Sequence, residues 1–287
     1  IPAGVYTLTS GSALVVDKNM TLVGAGSSST IVEAAISTTL QWGSVGVPSD
    51  IGAEIAPAPG MSRVFSTTAS SLSMSDLTVR YGRPSGGQAG HGGGIYVVAG
   101  GALTLTSIIV SGNKATHGGG INLSNGGNLT LVNSVVNNNY AQFGGGFLSN
   151  SAVVSLTDST VRDNTTSSWG GGIHMSGTLT LVNSNVKNNT AGTGGGGGGI
   201  NFGSGSATIT GSTISGNTAL SGGNYDGGGG IWNNGGLNLV DSTITGNTAN
   251  SIGGGVRMST DGGGSLQQSN TTISGNSAPV DPDCSGC

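Results

Sequence analysis

Charge is scarce in this sequence. Lys and Arg number 8 and Asp and Glu 12 among 287 residues, far below the roughly one-quarter charged residues of ordinary domains. A net charge of −4 with so few, scattered cations provides no basic track for a phosphate backbone, which excludes nucleic acid as a partner. Long hydrophobic runs are missing as well. No uncharged apolar stretch approaches the roughly 18 to 20 residues of a membrane-spanning helix, so this segment is not expected to insert into a bilayer. Glycine, at 58 residues, costs a helix interior roughly 1 kcal/mol per position, so coiled coils and helical bundles are excluded. Cysteine is confined to Cys284-Ser285-Gly286-Cys287. Zinc needs four ligands and a redox C-x-x-C normally opens a helix, so the pair predicts a disulfide, within or between chains, with no metal centre and no cofactor. Such a bond fits an oxidising setting outside the cell.

The abundant glycine is not collagenous, because there is no G-X-Y period, and the regular return of apolar residues argues against a disordered linker. From about residue 91 the chain divides into seven copies of one phrase, GGG-I, a variable stretch, then L-T-L-x-x-S-x-V-x-x-N-x-A. The last glycine of the triplet falls at Gly94, Gly120, Gly146, Gly172, Gly199, Gly230 and Gly255, and the Asn at Asn113, Asn139, Asn164, Asn189, Asn217, Asn247 and Asn276. Within each copy apolar and polar residues alternate, as in Leu129-Thr130-Leu131 followed by Val136, the period of a strand buried on one side. Three short strands per copy, separated by Gly, Asn and Ser turns, make each copy one turn of a coil whose strands stack in parallel on the next. The predicted fold is all-β, a single solenoid of about ten coils rising about 4.8 Å each, a rod roughly 50 Å long.

Leu72, Met74, Leu77 and Val79 fit a further coil, and the stretches 1–6 and 19–26 read as opening coils. Residues 35–60 lose the period and carry Trp42, Asp50, Glu54 and several prolines, the composition of a loop thrown out from the rod. Residues 279–287 read as a tail too short to cover the last coil. The whole of 1–287 is expected to be one domain.

The opening I-P-A-G-V-Y and N-M-T-L-V-G-A-G, with the repeated G-G-G-I and S-x-V-x-x-N, resemble the right-handed parallel β-helix proteins of the pectin-lyase-like group. The likeness is to the group's bacterial cell-surface members, such as polymorphic outer-membrane and adhesin passengers. It implies the right-handed coil over nearly the whole chain and leaves activity open, since the group holds lyases, hydrolases, adhesins and inert stalks.

In a solenoid, chemistry must be sought down columns of equivalent positions. The Asn column is expected to be a structural ladder of stacked amides. The Ser five places earlier, Ser134, Ser159, Ser184, Ser212 and Ser242, has no nearby His to act as its base and receives the same reading. Asp76, Asp158 and Asp241 share one turn column but lie three coils apart, roughly 14 Å, beyond the carboxylate spacing of glycosidases. The pectin-degrading relatives' paired aspartates with Arg-Ile-Lys, or their calcium-binding Asp cluster, are not found. The remaining catalytic candidate is Arg162 stacked on Lys187, with Asp158 and Asp163 in the same coil, where a cation could act as the base of a polysaccharide lyase.

Two columns could bind a ligand. His91, His117, Phe143 and Trp169 place rings in one line three positions before the end of the triplet, with simple edge packing of Phe143 on Trp169 the competing reading. Tyr96, Asn122, Leu148, His174, Asn201, Trp232 and Arg257 form a second column, expected to be exposed, with the bare glycines between them leaving room for a sugar near the backbone. A further outward column, Thr104, Thr130, Ser155, Thr180 and Thr208, with Thr106, Thr157 and Thr210 two places on, resembles the threonine arrays of ice-binding solenoids, but Val132, Val182 and Val240 interrupt the second rank, Asn238 and Gln267 end the first, and Thr is in any case a good exposed strand residue. The expected function is a non-catalytic structural or adhesive protein at the cell surface or outside it, stacking head to tail into fibres through its uncovered ends. Carbohydrate binding on the rings and polysaccharide lyase activity are the alternatives.

Overall fold

The computed structural model describes residues 1–8, 12–34, 62–84, 90–98, 100–124, 126–223, 227–259 and 263–287. The loop assigned to residues 35–60 therefore lies outside the described residues. The described chain is a right-handed, all-β parallel solenoid of about nine turns, with no helix among these residues. Strands stack in three columns. A ten-stranded sheet runs from Gly4–Leu8 to Thr272–Ser274, a sixteen-stranded sheet takes two strands from most coils, and a five-stranded sheet of two-residue strands closes the third side. In the central coils the two strands of the larger sheet run on without a break, as Phe147–Thr157, Ile173–Val182 and Ile200–Thr210.

Register follows the alternation in the sequence. Leu129 sits on Leu103 and under Val154, then Leu179, Ala207 and Leu237, all facing inward and buried. On the opposite wall Val110, Val136, Val161, Val186, Ile214 and Ile244 form the matching column. These stacks make one continuous apolar core along the rod, and burying it drives the coil shut.

The turn residues explain the acidic column. Asp76, Asp158 and Asp241 occupy the left-handed region at φ 57°, 50° and 48°, as do Asn133, Asn183 and Asn270 at the same turn of other coils. Asp and Asn tolerate this conformation better than other side chains, so the column is a run of tight turns. The glycine triplet has a different cause at each place. Gly118 takes φ 62°, whereas a Cβ on Gly119 would lie 2.5 Å from the carbonyl oxygens of both Gly145 and Tyr140. Coils approach so closely here that no side chain fits. The triplets are buried between coils, and the bare shelf expected from the sequence is not there.

The tail does more than its length suggests. Strand Cys284–Ser285 pairs in parallel with Val256–Met258, and the carbonyls of Val280, Pro282 and Asp283 accept the N–H groups of Gly253, Gly255 and Val256. It thus begins a further coil instead of trailing off. Cys284 is joined to Cys287 within the chain.

Candidate functional site

The Asn ladder is the most fully bonded polar feature of the rod. Each Nδ2 donates to the Oδ1 of the next Asn, Asn113 to Asn139, Asn139 to Asn164 and Asn164 to Asn189 at 3.0 Å, then Asn189 to Asn217, Asn217 to Asn247 and Asn247 to Asn276 at 2.9 Å. Each Oδ1 also takes the backbone N–H of the Asn before it, and the second Nδ2 hydrogen goes to a carbonyl such as Val136 or Val161. The donors all point toward the last coil, so the final partner need only accept. Asp283 fills that place, its Oδ1 receiving both the backbone N–H and Nδ2 of Asn276 at 3.1 and 3.0 Å. A carboxylate at the donor end of aligned amide dipoles is favoured for the same reason as an anion at a helix N-terminus. No repeat marks Asp283, and only its acceptor-only chemistry could have singled it out.

The Ser column works in the same way. Ser134, Ser159, Ser184 and Ser212 each donate the backbone N–H to the next hydroxyl at 3.0 to 3.2 Å, while the hydroxyls of Ser159, Ser184 and Ser212 donate to the carbonyl two residues back. A hydroxyl so committed is not poised as a nucleophile. Arg162 and Lys187 are in register on neighbouring strands. Arg162 is paired with Asp163, and Asp158 lies in the exposed turn on the other side of the strand with no ion pair to either cation. Asp158, Arg162 and Asp163 thus lie in one coil and Lys187 in the next.

The rings of the first column pack on one another. His91 and His117 stack with centroids 4.5 Å apart and planes 8° apart, and His117 continues onto Phe143 at 5.4 Å. Phe143 meets Trp169 edge-on at 6.2 Å. The second column, expected to be exposed, is mostly buried: Asn122 is 1 % and Asn201 4 % exposed. At the first glycine of each triplet the chain folds back, which lays the ring column over the second one, so that His91 touches Tyr96 and Trp169 touches His174. Tyr96 is capped by the Arg63 guanidinium at 4.5 Å from the ring centroid, a cation–π contact that no repeat signalled. Trp232 lies two coils beyond His174 in the same column, past Asn201. The flat faces of His91, His117 and Phe143 are turned toward one another, while Trp169 at the end of the line is 42 % exposed.

The imidazoles are set among the packed rings. The Nδ1 atoms of His91, His117 and His174 are buried with no partner. Burial lowers the pKa of His117, with a smaller push from His91. Burial also lowers His174 to about 4, against an opposing hydrogen bond with Asn201 and with a further lowering from His117. No group of three or more potential metal-ligating residues occurs among the described residues.

No family model, curated protein or solved structure matches the chain. What stands of the pectin-lyase-like resemblance is the parallel solenoid itself.

Proposed function

We propose that the protein is a non-catalytic rod, structural or adhesive, working outside the cell in the manner of the surface members of the pectin-lyase-like group, and that its copies associate end to end. The observation that carries this reading is the use made of its repeated polar side chains: Asn and Ser are spent in coil-to-coil bonds, and the stacked rings contact one another. A polysaccharide lyase would need an unpaired base held against a bound sugar acid, and Arg162 is tied to its own neighbour.

End-to-end contact is supported by the first coil, where Val5, Val15 and Val23 are 56 %, 68 % and 50 % exposed. Column order sets the register. Strand Gly4–Leu8 of a second copy would follow Thr272–Ser274, and Leu14–Val16 would follow Cys284–Ser285. Light scattering over a dilution series tests the contact: mass should rise above the 27.7 kDa of one chain as concentration increases, and a monomer at every concentration in oxidising buffer overturns it. Unsaturated product from polygalacturonate that disappears in Arg162→Ala or Lys187→Ala would overturn the non-catalytic reading.

A further inference from the structure

One outer wall of the rod has neither charge nor anchor. In the half of the sixteen-stranded sheet that precedes the Asp/Asn turn, Thr104, Thr130, Ser155, Thr180 and Thr208 stand in strict register on consecutive coils. The neighbouring outward column, two residues on, alternates Thr with Val from Thr106 to Thr210. Val keeps the branched outline of Thr with a methyl in place of the hydroxyl, so the interruptions noted in the sequence do not break the flatness. No outward position of the five strand segments 102–106, 128–132, 153–157, 178–182 and 206–210 is charged or aromatic. The array repeats at about 4.8 Å across the strands and roughly 6.6 to 6.8 Å along them. The adjacent Ser ladder fixes the spacing from coil to coil.

We propose that this wall binds ice. Protein partners are held by Trp, Tyr and Arg anchors in desolvated pockets, and the wall has none. Soluble and crystalline polysaccharides are gripped through aromatic faces, also absent here. A rigid, neutral, two-dimensional grid of small hydroxyls and methyls is complementary to ordered water: the hydroxyls can replace lattice hydrogen bonds, which water-mediated contacts match nearly in full, and the methyls hold the intervening waters in place without competing for them. Because the ladders hold the grid before contact, little ordering cost is left at binding. This wall is separate from the rod ends and stands or falls independently of end-to-end association.

The test uses the full chain in an ice-recrystallisation assay, with ice-crystal shaping as a second readout. Thr180→Lys places a long charged side chain in the middle of the grid, and Thr243→Lys places the same side chain on the ten-stranded sheet. Circular dichroism melts establish that both variants fold. The wild type and Thr243→Lys should inhibit recrystallisation and shape crystals, and Thr180→Lys should need at least about tenfold more protein for the same effect. Absence of activity in the wild type, equal activity in Thr180→Lys, or a sedimentation shift showing that Thr180→Lys instead separates laterally paired copies would each overturn the proposal.

Discussion

Replacing Asn189 by Ala removes one rung from the middle of the ladder. Its amide is fully buried. Oδ1 accepts the backbone N–H and Nδ2 of Asn164, each at 3.0 Å, and Nδ2 donates to the Val161 carbonyl at 3.0 Å and to Asn217 Oδ1 at 2.9 Å. Truncation orphans two buried donors on Asn164, and each such group costs about 1 to 3 kcal/mol. The expected loss is about 4 kcal/mol, with a range of roughly 2 to 6. Asn188 next door is the control, since it is exposed at φ 55° and Asn188→Gly relieves a left-handed residue, changing stability by less than about 1 kcal/mol. A solenoid can open locally, so the direct assay is native-state hydrogen exchange at the Asn164 backbone N–H, which should speed up about a thousandfold at constant pH. If Asn189→Ala leaves that proton protected and costs less than about 1 kcal/mol, the ladder does not hold the coils together.

Acid should loosen the ring layer. His174 has its pKa lowered to about 4, below the unfolded value of about 6.5, so between these values the unfolded chain binds more protons than the folded one. Stability contributed by this group is complete above about pH 6.5 and falls by on the order of 3 kcal/mol as pH drops to about 4; urea midpoints from pH 7.5 to 4 should show this slope, and His174→Phe should flatten it. Between the coils, Gly119→Ala meets two carbonyl oxygens at 2.5 Å while Gly222→Ala meets nothing within 4 Å. Thermal melts should therefore show a large loss for the first and little change or a slight gain for the second.

The solenoid was legible because its signals repeat. Apolar alternation fixes which face of each strand is inward, and the Asn and Gly columns recur at every coil, so register follows from counting residues. The ladder of Asn113 to Asn276 came out as expected for that reason. What was hidden depends on events that do not repeat or on how far a turn folds back. Asp283 ends the ladder once, at one place. The second ring column looked exposed because alternation shows only which residues leave the core, and Asn122 leaves the core only to be covered by the returning chain. Arg63 reaches Tyr96 from a position before the repeats begin. The Glu33–Arg80 pair, in register on neighbouring strands, likewise has no counterpart in later coils among the described residues.

The central claim is that the repeated polar side chains hold the coils in register and are not displayed for a ligand. Exchange of the side-chain carboxamide protons, resolved by nitrogen-edited NMR, tests it most directly. The Nδ2 protons of Asn139, Asn164, Asn189 and Asn217 are buried and bonded on both sides, whereas those of Asn133, Asn138, Asn183 and Asn188 lie at exposed turns. The first set should exchange orders of magnitude more slowly than the second, at rates set by opening of the coils. Equal rates in the two sets would contradict the claim.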